Sequence, residues 1–430
     1  MSNLLKNWKN MRQYPAAVLG AGVSGQGVCE LLKHLNWEYH VYDEQGHVFN
    51  KSEACSCSII ISSPGFHVNH PWKLLAKKNG KKLISEIDFS SYFLKSKIIG
   101  ITGTNGKTSV TSFLTHLWET IGQNAISAGN IGYPLSRAVL NEKQNNTVFL
   151  EISSFQAEDM VSTKLDSLIW TNIDTDHIDQ HGSMENYFRS KAKLIDLTKS
   201  NNIFLSQCVV DYAKEINYKL PNNFKIVGVD SELSKLSKYN NFFTTRPQIL
   251  NLSMIKSFLK NQNISSESLI KGLMSYVPQP HRLQKVEILN GITFWDDSKA
   301  TNFASAIAAC ENFKGNVFWI GGGRYKGGCI EELAKKIKPV IKKAFLIGES
   351  GKILGEIFKN IGQPYMLCNS LEHAVKKAFL EASSLTNILL SPGFSSFDLF
   401  KNYQERGNLF QKIVLEIKNI HSFNKSHQIA

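Results

Sequence analysis

Residues 98–109 read IIGITGTNGKTS, an apolar run that ends in glycines, a lysine and hydroxyls just before a helical pattern begins. A strand that stops at such a loop and reopens as a helix is built to hold phosphate, because the free N–H groups and dipole of the helix N-terminus favour anions. Gly103, Thr104, Asn105 and Gly106 form the turn, Lys107 supplies a cation for the β/γ-phosphates, and Thr108 supplies a hydroxyl suited to Mg²⁺. The spacing is G-T-N-G-K-T; the stricter G-x-x-x-x-G-K-[ST] pattern fails because Ile101 stands where its first glycine belongs.

Outward from this loop, short apolar runs alternate with helical periods along nearly the whole chain. AAVLG, EYHVYD, SIIISS and KKLIS precede it; FLEIS, SLIWTNI, NIFLS and FKIVGV follow; NVFWIGGG, KKAFLIGE, PYMLC and NILLSPG close the series. This alternation predicts α/β architecture with parallel sheets covered by helices on both faces. ILNGITFW, with Asn290-Gly291 between apolar runs, predicts a β-hairpin. Joints are expected at YFLKSK and at VPQPHR, where Pro278 and Pro280 interrupt a helical pattern. Cutting there yields three domains, 1–95, 96–280 and 281–430, in keeping with a 430-residue chain at roughly 150 residues per domain. The tail HSFNKSHQIA is expected to fray.

A second glycine loop lies near the start, in AAVLGAGVSGQGV (16–28), where Gly20, Gly22 and Gly25 are spaced G-x-G-x-x-G and Asp43 ends the next strand. The spacing fits a Rossmann-type diphosphate cradle with a ribose-binding acid, and by itself admits a dehydrogenase or a bare structural turn. A dehydrogenase has no use for the loop at 103–108. Two phosphate cradles in one chain point to a reaction in which ATP activates a second phosphorylated substrate.

Composition is compatible. Hydrophobic residues make up 42% and charged residues 20%, as in a soluble globular protein, and no apolar run reaches the length of a membrane span. The first residues carry no apolar segment of a secretory signal, so a cytoplasmic protein is expected. The seven cysteines suggest neither a disulfide framework nor a complete zinc site. The formal charge of +13 is spread along the chain, so phosphorylated small ligands account for its sign and no nucleic-acid partner is expected.

Three further residues lie where a metal and substrate site should be: Glu151 in FLEISSFQAED, His177 in TNIDTDHIDQHG and Lys191 in NYFRSKAKL. Glu151 and His177 each follow an apolar strand, and parallel sheets gather ligands at the carboxyl ends of strands. Each alone also admits a bland reading, as a capping acid, a loop histidine and a solvated helix lysine.

Taken together, G-T-N-G-K-T, L-E-I-S-S-F-Q, the D-H-x-D segment and the Y-x-x-x-K segment resemble the Mur ligases of peptidoglycan synthesis. The resemblance continues through WDDSKATN, GGGRYKGG and LLSPGFSSFDLFKNYQERG, covering about 16–415. It implies a Rossmann-like first domain, a P-loop-type ATPase domain and a Rossmann-like third domain. The implied activity is ATP-dependent addition of D-glutamate to UDP-N-acetylmuramoyl-L-alanine through an acyl phosphate, with Mg²⁺, by a monomer that does not insert into membranes.

Carried over by residue, the resemblance implies ATP contacts at Gly103, Thr104, Asn105, Gly106, Lys107, Thr108, Asn251, Arg282 and Asp297. It implies a catalytic set of Lys107, Glu151, His177 and Lys191. Metal contacts would be Thr108, Glu151, His177 and a carbamylated Lys191, whose carbamate offers an oxygen ligand where an ammonium would repel Mg²⁺. Ser24, Asp43, Ser63, Pro64, Gly65, Asn130 and His177 would face the UDP-sugar substrate. Lys299, Thr301, Lys326, Ser396 and Tyr403 would receive D-glutamate, whose carboxylates call for cations and hydroxyls.

The chain departs from the family pattern in TTRPQILN, where Pro247 and Gln248 stand in place of a His-Asn pair while Asn251 is retained, and at Tyr403, where a Phe is found in a similar enzyme. The segment 206–247 is also shortened. Alternatives from the sequence are a related ligase with another acceptor, such as a folylpolyglutamate synthetase, and a non-catalytic nucleotide-sugar binding protein.

Overall fold

A computed structural model describes residues 5–144, 147–199 and 201–427. Among the described residues, sixteen strands fall into three sheets. The first holds β1 (Ala16–Leu19), β2 (Tyr39–Tyr42), β3 (Ile59–Ser62) and β4 (Leu83–Ser85) in the order β2-β1-β3-β4, all parallel.

The second is a six-stranded parallel sheet. Its strands are β5 (Lys97–Thr102), β6 (Ala125–Gly129), β7 (Thr147–Glu151), β8 (Ser167–Trp170), β9 (Ile203–Ser206) and β10 (Lys225–Val227), in the order β10-β9-β8-β5-β7-β6. The third holds β11 (Gln284–Leu289), β12 (Ile292–Asp296), β13 (Val317–Gly321), β14 (Ile341–Leu346), β15 (Tyr365–Leu367) and β16 (Asn387–Leu390), in the order β11-β12-β16-β13-β14-β15. Only β11 runs antiparallel to its neighbour. It is joined to β12 through Asn290 and Gly291, both at positive φ, as the expected two-residue hairpin requires.

The apolar runs are continuous because both faces of each sheet are covered. In the second sheet Val148, Leu150, Leu168 and Trp170 pack on one side, with Phe188 and Ala192 of the helix Met184–Asp196. Their neighbours Phe149 and Ile169 point to the other side, with Ile99 and Ile101 of β5. There they meet Val110, Phe113, Leu114 and Leu117 of the helix Lys107–Thr120. That spacing of three and four places an apolar stripe on the face of the helix that covers the sheet.

The chain forms two compact units. One takes the chain up to Ile173 together with Glu185–Thr244 and Gln248–Tyr276; the other takes Asp174–Met184, Thr245–Pro247 and everything from Val277 onward. The first unit therefore contains two sheets, joined by polar contacts from the helix Glu86–Ser91. Asp88, buried, accepts from the amides of Val161, Ser162 and Thr163 at 2.9, 3.0 and 2.8 Å and from the Thr163 hydroxyl at 2.7 Å. Glu86 accepts from the Ser136 amide at 2.8 Å, and Arg137 meets Glu30 through two nitrogens at 2.9 and 2.7 Å. A buried carboxylate without these donors would be costly, so the contacts of Asp88 and Glu86 are specific as well as cohesive, whereas the Arg137–Glu30 pair is solvent-exposed.

The helix Tyr403–His427 runs into the tail that was expected to fray, and residues 428–430 lie outside the described residues. Among the described residues no helix is long and apolar enough to cross a membrane.

Candidate active site

β5 ends at Thr102, and the helix that follows begins at Lys107 with Gly106 as its N-cap in the left-handed region (φ 84°). A side chain at Gly106 would put its Cβ 2.3 Å from Asn251 Oδ1, so backbone conformation and crowding both require glycine. The loop is pinned from β8 outward: Asn172 Oδ1 accepts from the Asn105 amide at 2.8 Å, while Thr171 Oγ1 and Asn172 Nδ2 donate to the Asn105 carbonyl at 2.6 and 3.0 Å. Lys107 curls back, donating to the carbonyls of Gly103 and Thr104 at 2.8 and 2.9 Å.

Lys191 is not a solvated helix lysine. Its side chain is 1% exposed, donates to the Gly103 carbonyl at 3.2 Å and lies 4.7 Å from the centre of the Tyr187 ring. The Tyr187 hydroxyl in turn sits 3.2 Å from Thr104 Oγ1. Thr108 occupies the first turn of the helix, where the amides have no intrahelical acceptor.

Glu151 ends β7, paired in register with Ile101 of β5, so its carboxylate stands at the same edge of the sheet as the phosphate loop. It is 2% exposed. Asn130 Nδ2 donates to Oε1 at 2.8 Å, while Oε2 is buried with no hydrogen-bond partner. A buried carboxylate oxygen whose lone pairs meet no donor fits a hard cation such as Mg²⁺, which takes oxygen ligands. Asn251, also buried, is held by its amide to Gln248 Oε1 at 3.0 Å, and its Oδ1 likewise lacks a partner. Gln248 thus occupies a departure from the family pattern and orients the residue that the pattern retains.

In the first sheet the glycine loop is drawn tight: a Cβ at Gly25 would fall 1.8 Å from the Gly20 carbonyl oxygen. The helix Val23–His34 starts from Gly22 with no side-chain cap, leaving first-turn amides for an anion, with Ser24 among them. Asp43 accepts from the amides of Ala21 at 2.9 Å and Gln45 at 3.2 Å, and these two bonds hold its carboxyl below the usual range. Its structural task is to fasten the glycine loop. Ser63, at the end of β3, is buried beneath that loop with Oγ unpartnered, followed by the more exposed Pro64 and Gly65.

The second unit carries the remaining residues. His177 is the left-handed N-cap (φ 54°) of the turn Ile178–His181, with its amide donating to Asp176 Oδ1 at 3.0 Å. Asp176 also meets Lys326 Nζ at 3.7 Å and Asn302 Nδ2 at 3.2 Å. His177 and Lys326 are thereby gathered around one carboxylate that sequence reasoning did not single out, although it lay inside the D-H-x-D segment.

Lys299 Nζ stands 3.9 Å from the centre of the Tyr403 ring, a cation–π contact that accommodates tyrosine in place of phenylalanine. The Tyr403 carbonyl accepts from Ser298 Oγ at 2.8 Å. Ser396 is buried and its carbonyl accepts from Leu399 and Phe400 in a turn, seven residues before the next helix begins at Tyr403. Thr301 is half-buried just before the helix Phe303–Cys310.

Asp297 accepts from the Leu283 amide at 3.0 Å and from Ser391 Oγ at 2.7 Å; burial raises its pKa to about 7, offset in part by those bonds and by Arg282. Two further groups escaped sequence reasoning. Arg406, 1% exposed, donates to Ser298 Oγ, Ser298 O and Phe394 O at 3.0, 2.8 and 3.3 Å, and burial depresses its pKa to about 10. His281, next to Arg282, pairs in the interior with Asp296 at 2.6 Å. Nothing in one sequence separates a buried arginine or histidine from a solvated one.

Comparison with known proteins follows the same lines. Residues 101–273 match the Mur ligase middle domain, and residues 281–394 match the Mur ligase glutamate ligase domain. A UDP-N-acetylmuramoylalanine--D-glutamate ligase of Pseudothermotoga lettingae is 33% identical over 93% of this chain and 97% of its own. A ligase of the same name from a Thermoanaerobacter species is 29% identical over 93% and 98%. The crystal structure of the MurF ligase of Thermotoga maritima in complex with ADP superimposes with a TM-score of 0.59 at 17% identity, covering 97% of this chain and all of the other.

Three α/β sheets, a phosphate loop and a neighbouring buried carboxylate are the equipment of an ATP-dependent ligase. The chain belongs to the Mur ligase family.

Proposed function

We propose that this ligase joins D-glutamate to UDP-N-acetylmuramoyl-L-alanine. The relatives that carry that name support the substrates, and their names do not favour another acceptor or a non-catalytic binding protein. The observation that carries the chemistry is the unmet oxygen of Glu151 at the sheet edge shared with the phosphate loop.

In this reading the segment 1–95 holds the UDP part through Ser24, Asp43 and Ser63–Gly65, the segment 96–280 holds ATP, and 281–430 receives the amino acid through Lys299, Thr301, Lys326, Ser396 and Tyr403. Glu151, Thr108, His177 and a carbamylated Lys191 would hold Mg²⁺. The metal, when bound, supplies charge neutralisation for the transferring phosphoryl group.

The substrate carboxylate attacks the γ-phosphate of ATP, with Lys107 offsetting negative charge on the group in flight. The D-glutamate amine then adds to the acyl phosphate, and phosphate leaves as the amide forms. Lys299 and Lys326 balance the acceptor's two carboxylates. An acyl phosphate is open to hydrolysis, so closure of the amino-acid-binding part over the site before chemistry belongs to the proposal. The expected setting is a cytoplasmic monomer.

The test is phosphate release from ATP and Mg²⁺ with UDP-N-acetylmuramoyl-L-alanine, comparing D-glutamate, L-glutamate and no amino acid. Release that requires both the nucleotide sugar and the D isomer is expected. Release with a different acceptor would overturn the specificity, and none under any condition would overturn the activity.

A further inference from the structure

One lysine in the first unit is buried where neither ATP nor an acceptor is placed. Lys73, in the helix Pro71–Lys78, is 2% exposed, and its ammonium donates to Asp159 Oδ2 at 2.6 Å and to the Phe66 carbonyl at 2.7 Å. The two acceptors follow strands of different sheets, Phe66 after β3 and Asp159 after β7. Phe66 lies three residues beyond Ser63 in the loop that carries Ser63, Pro64 and Gly65, and its ring lies against the glycine loop, 3.1 Å from the position of a Cβ at Gly20. Asp159 ends the helix Ser154–Asp159, which begins from a Ser153–Gln156 capping box two residues after Glu151.

Taking an ammonium out of water costs several kcal/mol, and an apolar contact would hold two elements together at least as well. What the ammonium adds is direction: its N–H bonds fix where a loop carbonyl and a helix end stand relative to each other.

We propose that Lys73 is a positioning residue that sets the substrate loop 63–66 against the strand end bearing Glu151, and so places the acid end of the nucleotide sugar for attack on ATP. It touches no reactant and acts through Phe66 and Asp159. The inference rests on the assignment of Ser63–Gly65 to the nucleotide sugar.

Lys73→Met leaves the half-buried Asp159 without its partner, and its loss of activity could reflect poor folding alone. Lys73→Met with Asp159→Leu removes both charges, the kind of replacement a folded protein tolerates, while the Phe66 carbonyl still loses its anchor. The double variant is expected to melt near the parent temperature, to keep its KM for ATP, and to lose up to about 10²-fold in kcat/KM for the nucleotide sugar, as a small misplacement remote from the chemistry can cause. Lys73→Arg, which keeps the donors, is expected to recover most of that loss.

A folded double variant with parental kcat/KM for the nucleotide sugar would overturn the proposal, as would an equal rise in KM for ATP. Calorimetry of the unaltered protein with UDP-N-acetylmuramoyl-L-alanine separates the two levels. If the unaltered protein binds it and the double variant binds equally well and turns over normally, only the role of Lys73 falls; if the unaltered protein does not bind it, the substrate assignment falls and the role of Lys73 falls with it.

Discussion

Lys107 and Lys191 donate to the same oxygen, the carbonyl of Gly103, at 2.8 and 3.2 Å. Two ammonium groups on one acceptor repel each other, and a cation at Lys191 would also repel Mg²⁺ at Glu151. On the proposed reading, addition of CO₂ to Lys191 would turn one of the pair into an oxygen ligand and would remove both repulsions. Activity in CO₂-depleted buffer is therefore expected to fall and to return with bicarbonate, and intact-mass measurement at neutral pH should show one added CO₂ that Lys191→Met lacks. Full activity of the protein without the added mass would count against the modification.

Asn130 holds Glu151 Oε1 and leaves Oε2 for a ligand. Loss of an outer partner of a metal-binding carboxylate costs roughly 10- to 100-fold in metal affinity or activity. Asn130→Ala is expected to need correspondingly more Mg²⁺ for half-maximal turnover, as a Mg²⁺ titration at saturating ATP and nucleotide sugar would read. A change in KM for the nucleotide sugar with unaltered Mg²⁺ dependence would confine Asn130 to substrate contact.

Arg406 ties the start of the last helix to Ser298 and Phe394. Its removal leaves three acceptors without their donor in the interior, and bonds to a charged group contribute about 1.5–3 kcal/mol each. Because the losses overlap, Arg406→Met is expected to lower stability by about 3 kcal/mol, read from the denaturant midpoint. An unchanged midpoint would sink the idea that Arg406 fastens the segment bearing Lys299.

Burial raises Asp297 from 3.8 in the unfolded chain to about 7 in the fold. Between these values the folded protein holds a proton that the unfolded chain has released, so this group's contribution to stability is full below 3.8 and is lost as pH rises through 7. Asp297→Asn removes that slope. Without nucleotide, the variant's melting temperature relative to the parent should climb across roughly pH 4 to 8, while ATP-dependent turnover falls. Parallel melting curves for the two proteins over that range would show that Asp297 does not titrate there.

The strands were legible because parallel sheets bury both faces and leave unbroken apolar runs, as in IIIS at β3 or VFWIG at β13. The hairpin was legible because Asn290-Gly291 is suited to two consecutive positive φ values. β6 was not read: AISAG, at the sheet edge, has small residues everywhere but Ile126, and its place is set by pairing with β7. At the site, residues lodged in ordered motifs could be named. Asp176, Tyr187 and Arg406 lie inside those motifs but were given no role, because the partners Asn302 and Lys326, Thr104, and Ser298 and Phe394 are brought to them by the fold. Lys191 shows the limit most clearly, since burial by Tyr187 and the phosphate loop is invisible in a helical pattern that would serve a solvated lysine equally well.

Asp176 is held by Asn302, which lies 126 positions further along the chain, and by Lys326 beyond it. During synthesis, the first unit's sheets and its phosphate loop can form before either partner has left the ribosome, since domains fold as units from the N-terminal side. The segment bearing His177 gains these neighbours only when the third sheet arrives. An unfinished polypeptide can thus own a phosphate loop while the segment bearing His177 still lacks the neighbours that hold it.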